Sequence, residues 1–213
     1  MRLYAYYRSS TSYRVRIALN LKGLSYETIA VDLLHGAQKT SDYGRINSFQ
    51  KLPVLEFDGR RITQSLAIID MLETRFADPS FFPVDPQQNL LVREWATMLA
   101  TDIHALNNQS TLNYLKENLS ATDAQVTAWI HYWIDKSFAP LEAKLAELTY
   151  QDLPFAQPTL FEIVLIPQIY NAVRFKLDMS AYPRLKEIYE IARKNPAFAA
   201  AAPERQVDFK TEF

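Results

Sequence analysis

The sequence predicts an α/β domain followed by an all-α helical bundle. Three observations carry that expectation. As far as Phe76, short apolar runs with period-two alternation take turns with helical patterns. Pro79, Pro83 and Pro86 then interrupt the chain, and prolines so closely spaced stop helices and mark a linker. Beyond them strand patterns vanish, and apolar residues recur only at helical spacing. The expected domains are 1–78 and 86–213.

Arg2 to Tyr7 reads as a first strand. Ser9, Ser10, Thr11 and Ser12 follow, and their hydroxyls suit a strand end, a turn and a helix N-cap. A side-chain oxygen there accepts from the amides that a first helical turn leaves unpaired. Val15, Ala18, Leu19 and Lys22 keep helical spacing to the stop at Gly23, predicting a helix over 12–22. Such a segment is either an ordinary capped helix or a cradle for an anion, because a helix N-terminus concentrates amide donors and partial positive charge. Arg14 and Arg16 are expected on its surface or in an ion pair at the domain interface.

Tyr26 to Val31 forms a second strand, and the β-α-β start favours parallel pairing. From His35 to Asn47 the chain is polar, with at most a short helix around Gln38 to Tyr43. Val54 to Phe57 and Arg60 to Ile62 flank Asp58-Gly59, a two-residue hairpin turn. Leu66, Ile69 and Leu72 share one face of a helix reaching Phe76, with Ser65 as its N-cap. The resulting order, β-α-β-α-β-β-α, is a thioredoxin-like arrangement. In the second part, 87–108, 122–148, 159–175 and 182–194 are helical, with a capping box at Thr159 to Glu162. Trp129 and Trp133, one turn apart, belong to a bundle core or subunit contact. Residues from Ala199 on read as a loose tail.

Composition narrows the chemistry. A net charge of -1, from 23 basic and 24 acidic residues, gives no reason to expect a nucleic acid or a membrane as partner. The start of the chain lacks a signal-peptide pattern and no apolar run reaches membrane-spanning length, so a cytoplasmic location is expected. There is no cysteine. Disulfides, thiolate metal ligands and a protein-borne thiol nucleophile are excluded, so any sulfur chemistry must use a ligand's sulfur. The glycines, at 23, 36, 44 and 59, cannot form either glycine-rich phosphate loop. His35, His104 and His131 are too scattered to suggest a metal site. Ser9 is no hydrolytic nucleophile, since no G-x-S-x-G elbow surrounds it.

The run Arg8-Ser9-Ser10-Thr11-Ser12-Tyr13-Arg14-Val15-Arg16, continuing through Ile17-Ala18-Leu19-Asn20-Leu21-Lys22-Gly23, resembles the signature of zeta-class glutathione transferases. That class includes maleylacetoacetate isomerases and the related maleylpyruvate isomerases. Leu52-Pro53-Val54-Leu55, Gln64-Ser65-Leu66-Ala67 and Pro167-Gln168 through Arg174-Phe175 to Tyr182-Pro183 extend the likeness along the chain.

The resemblance implies the glutathione transferase architecture, glutathione as cofactor and a homodimer. It further implies that Ser9 donates to the glutathione sulfur, with Ser10 and Thr11 close by. Leu52 would pair its backbone with the cysteinyl part ahead of a cis Pro53, in the manner of an added strand. Gln64 and Ser65 would hold the γ-glutamyl carboxylate, Gln38 would reach the glycyl end, and Asn107 or Asn108 would lean in from the helical half. The chain departs from the pattern at Thr11, where the class commonly has cysteine, and at Gln50-Lys51.

A free thiol has a pKa of about 8.5, and each unit of depression needs ~1.4 kcal/mol of preferential stabilisation. A serine hydroxyl at a helix N-terminus can contribute to that. A glutathione thiolate adding to a cis double bond leaves a single bond free to rotate before sulfur departs. The implied substrate is a small dicarboxylate, for which Arg8, Arg174 and His104 are the candidate acceptors. Gln109-Ser110, in place of a further arginine, favours maleylacetoacetate over the shorter maleylpyruvate. A general transferase and a non-catalytic transferase-like interaction module are the rival expectations.

Overall fold

A computed structural model of the protein describes residues 1–210. It divides into two compact units, one formed by Met1–Ser80 together with the chain from Arg193, the other by Phe81–Ala192.

The first unit is built on a four-stranded sheet of order β2-β1-β3-β4: β1 Arg2–Ala5, β2 Glu27–Ala30, β3 Val54–Phe57 and β4 Arg60–Thr63. β1 and β2 run parallel with Leu3 opposite Thr28, as the β-α-β pattern requires, and β3 pairs antiparallel with both β1 and β4. The hairpin turn falls on Asp58 and Gly59, whose φ angles of 49° and 70° suit residues that tolerate the left-handed region. Helices α1 (Ser10–Leu21), α2 (Ser41–Ile46) and α3 (Ser65–Arg75) complete the thioredoxin-like order, with a 3-10 turn at Ala37–Lys39 before α2. Leu3, Val15, Ile17, Leu19, Leu55, Ile68 and Leu72 are fully buried and form the core.

Two sequence expectations fail in this unit. Residues 199–210 are not a loose tail, the rest of that expectation lying outside the described residues: α9 (Pro196–Ala201) packs on α1 and buries Phe198 and Ala201. Alanine is the best helix former and lets backbones approach closely, and the Asn20 amide donates to the Ala197 carbonyl at 3.0 Å. Helix α1 packs on α3 as well as on α9, and Arg14 and Arg16 are buried (1% and 0% exposed) instead of solvated. Arg16 is satisfied by carbonyls, its Nε donating to Ala201 and its Nη2 to Tyr7, both at 2.9 Å. Lys22 is likewise buried, donating to Glu73 and to the Pro79 carbonyl, each at 2.7 Å.

The second unit holds α4 (Pro86–Met98), α5 (Gln109–Leu119), α6 (Asp123–Ala146), α7 (Leu160–Arg174) and α8 (Pro183–Lys194), the last running on into the first unit's terminal segment. Helix α7 is buried nearly all round, and its capping box forms as the sequence requires: Thr159 donates through its amide (2.8 Å) and hydroxyl (2.6 Å) to Glu162. The Glu142 carboxylate on α6 accepts from the Arg184 and Leu185 amides at 2.8 and 3.0 Å, satisfying the first turn of α8. The expected helix over 87–108 is interrupted, passing into π-helical winding at Leu99–His104, and α5 follows where the sequence showed no periodic stretch. Trp129 and Trp133 meet edge-on at 5.7 Å, with the Trp129 indole donating to Leu106 at 3.1 Å. Among the described residues no helix is long and apolar enough to cross a membrane, and no cluster of three metal-ligating side chains occurs.

Candidate active site

The N-terminus of α1 gathers three of the sequence-predicted residues. Ser9 is the N-cap, extended at φ -67°, and its Oγ accepts from the Ser12 amide at 3.2 Å. The same Oγ lies 3.0 Å from Thr11 Oγ1, which donates to the Leu52 carbonyl at 3.2 Å. Counting protons fixes the direction of this chain. Thr11 has one hydroxyl proton and gives it to Leu52, so Ser9 is the donor to Thr11. The Ser9 proton therefore rests on a neutral acceptor, which an anion at the helix N-terminus outcompetes. Ser10 is the first residue of α1 and is buried.

Leu52 is fixed from behind. Tyr43 through its hydroxyl and Asn47 through its amide both donate to the Lys51 carbonyl at 2.8 Å, and Leu52 packs on a cluster of Tyr4, Val31, Tyr43 and Val54. The Leu52–Pro53 bond is cis. Gln38, in the 3-10 turn, keeps its Oε1 buried without a partner. Arg8 is half-buried, its guanidinium 6.0 Å from the ring centroids of Tyr6 and Tyr7.

At the start of α3 the structure corrects one expectation. Ser65 is not the N-cap but the first helical residue; the cap is Gln64, at φ 67° and ψ 117°, with no side-chain bond to the helix. A left-handed φ is uncommon outside glycine and costs about 1–3 kcal/mol at such positions. The first-turn amides of α3 thus lack a capping side chain, while the Gln64 side chain is exposed. The buried Ser65 hydroxyl accepts from Arg14 Nη1 at 3.4 Å. Burial pulls the Arg14 guanidinium down to about 9. Sequence reasoning missed Arg14, although α1 contains no acidic residue to pair with it.

The remaining predicted residues belong to the second unit and are described within it. His104 closes the π-helical stretch, half-buried. Asn107 points its amide at the Ile130 carbonyl, 3.5 Å away, and its Oδ1 is buried without a partner. Asn108 caps α5, accepting from the Thr111 amide at 3.1 Å. Arg174 ends α7 with its guanidinium 4.0 Å from the Phe175 ring centroid. His131 bonds the Phe175 carbonyl at 2.7 Å, which requires the proton on Nε2. Gln109 is engaged with Asn113 at 2.6 Å.

These features suit a thiol peptide: a hydroxyl at one helix N-terminus, an uncapped second N-terminus over a buried cation, and an orphaned amide oxygen. Residues 8–75 match the family described as glutathione S-transferase, N-terminal domain. The chain is 43% identical to a Vibrio cholerae protein described as a probable maleylacetoacetate isomerase, over 97% of each chain. Among solved structures, the holo structure of a maleylpyruvate isomerase, described as a bacterial zeta-class glutathione transferase, matches at TM-score 0.96 and 36% identity, covering 99% of this chain and 100% of that one. A maleylacetoacetate isomerase from Anaeromyxobacter dehalogenans, solved with glutathione in its active site, matches at TM-score 0.87 and 36% identity, covering 98% and 97%. The chain belongs to the glutathione S-transferases, in their zeta class.

Proposed function

We propose that this protein is a glutathione-dependent cis–trans isomerase converting maleylacetoacetate to fumarylacetoacetate, a step of tyrosine and phenylalanine breakdown. The observation that carries the reading is the hydroxyl chain from Ser9 through Thr11 to the Leu52 carbonyl at the α1 N-terminus, in a protein with no sulfur nucleophile of its own.

When bound, glutathione supplies a thiolate whose addition to the cis double bond permits rotation and whose departure leaves the trans isomer. Ser9 turns its proton from Thr11 to the sulfur and, with the α1 amides, stabilises the charged form. Thr11 holds the Leu52 carbonyl, which orients that backbone for strand-like pairing with the peptide. Gln64 and Ser65 take the γ-glutamyl carboxylate at the α3 N-terminus. Gln38 has a free acceptor, its Oε1, for the N–H of the glycyl residue, and Asn107 or Asn108 adds an amide contact. Arg8, Arg174 and His104 bind the substrate carboxylates and hold charge as it develops.

A glutathione-affinity column combined with an absorbance assay on each maleyl substrate tests this. Retention with isomerisation of maleylacetoacetate supports the reading. Retention without isomerisation favours a general transferase, and no retention leaves a non-catalytic module. Maleylpyruvate is the second substrate to try, because of the TM-score of 0.96 to a maleylpyruvate isomerase; the ratio of the two kcat/KM values decides. Arg174→Ala is expected to lower isomerisation by roughly 10²-fold or more, while conjugation of a neutral electrophile is retained. We also expect a cytoplasmic homodimer. The family resemblance supports the dimer, and sedimentation checks it.

A further inference from the structure

Arg14 carries a charge with nothing in its surroundings to balance it. Its side chain is 1% exposed, and among the described residues no carboxylate pairs with it. Its Nε and Nη2 have no hydrogen-bond partner. Its one hydrogen bond among the described residues is Nη1 to Ser65 Oγ at 3.4 Å. A buried guanidinium in this state is costly, and native proteins seldom keep one without a ligand or a partner.

The contact has a direction. Arginine only donates, so it occupies a lone pair of Ser65 and leaves the Ser65 proton to point elsewhere. Among the described residues no acceptor takes that proton. Ser65 opens the eleven-residue α3, whose cap, Gln64, supplies no side-chain bond to the first-turn amides. Three kinds of donor thus converge without an acceptor: the amides of α3, the Ser65 hydroxyl and the cation behind it.

We propose that Arg14 is a positioning residue for the carboxylate of the bound peptide: it orients and polarises the Ser65 hydroxyl toward that carboxylate and supplies the balancing charge from inside the protein. The proposal rests on the glutathione reading above and deepens it. Arg14 does not touch the ligand; it acts through Ser65 and through the field of a poorly screened charge. The site therefore selects a carboxylate over a neutral group of equal shape, and glutathione binding, not turnover of the bound complex, is what Arg14 controls.

The test is calorimetric titration with S-methylglutathione and with its analogue carrying an amide in place of the γ-glutamyl α-carboxylate. Wild type is expected to prefer the carboxylate, and Arg14→Met to lower that preference roughly tenfold to hundredfold, the range for a buried charge-assisted contact. Arg14→Met also raises KM for glutathione with little change in kcat, and its melting temperature is held or raised because an unbalanced charge has been removed. On a Ser65→Ala background the Arg14→Met change adds little. Should Arg14→Met fail to fold, Arg14→Lys and Arg14→Gln carry the same comparison, lysine keeping the preference and glutamine losing it. An equal preference in wild type and every Arg14 variant overturns the proposal, as does a wild type that binds both ligands alike. A wild type that binds neither ligand overturns the glutathione reading and this inference with it.

Discussion

Ser9→Ala separates the two tasks of the Ser9 oxygen. As N-cap it accepts from the Ser12 amide at 3.2 Å, and losing such a cap costs about 1 kcal/mol. As donor it is the group nearest to hand for a thiolate at the α1 N-terminus, and a hydrogen bond to a charged group contributes about 1.5–3 kcal/mol. At ~1.4 kcal/mol per unit, losing it raises the bound thiol pKa by about one to two units. The rising limb of kcat/KM for the maleyl substrate at saturating glutathione therefore moves up by that amount, and at pH values below both pKa values the thiolate fraction falls about tenfold or more. The ultraviolet absorbance of bound thiolate, followed against pH, reads the shift directly. Ser9→Asp separates the tasks further. Aspartate caps as well as serine, but its charge opposes a neighbouring thiolate, so stability is kept while the thiol pKa rises. An unchanged pH profile in Ser9→Ala, or wild-type activity in Ser9→Asp, refutes the assignment.

Three further outcomes follow from the same structure. Gln64→Gly relieves the φ of 67° and is expected to hold or raise stability, by up to about 1 kcal/mol, while raising KM for glutathione; denaturant titration and steady-state kinetics check both. Burial pushes Glu162 up to about 7 from an ordinary 4.5. The folded state therefore binds the extra proton between those values, and this contribution to stability is full below 4.5 and lost as pH rises through 7. Glu162→Gln flattens that decline in urea midpoints compared across the window. Glu73→Leu removes the carboxylate paired with the buried Lys22 cation, which keeps the Pro79 carbonyl, and is expected to cost up to about 3 kcal/mol; adding Lys22→Met restores most of it, as melting curves will register.

Much of the fold was legible because its signals are local. Period-two runs, Asp58-Gly59 and the Thr159 capping box are written in neighbouring residues, and each forms where expected. The N-cap of α1 at Ser9 was legible for the same reason, since a hydroxyl ahead of an apolar helix suits a cap, whereas its proposed role toward a thiol comes from the family resemblance. What escaped depends on partners distant in sequence. Arg16 is buried with an acceptor on α9, nearly two hundred residues away, and Arg14 with one at the start of α3. Ser65 was misread as a cap because the helix start is set by the unusual φ of Gln64, which no residue type announces. The π-helical winding before His104 likewise leaves the helical alternation of Leu99 and Ile103 intact and so gives no warning.

The packing of α9 on α1 also bears on how the chain is made. The ribosome releases the strands and α1 first, yet the carbonyl that receives Arg16 Nε belongs to Ala201, and the carboxylate that receives the Tyr7 amide to Asp208, at 2.9 Å. Until Ala201 and Asp208 have emerged, the opening eighty residues lack the acceptor of a buried cation and the helix that covers an apolar flank of α1, an exposed state of the kind that chaperones guard. A fragment cut after Ser80 is accordingly not a smaller version of this protein but an interrupted one, without the piece of core that α9 supplies.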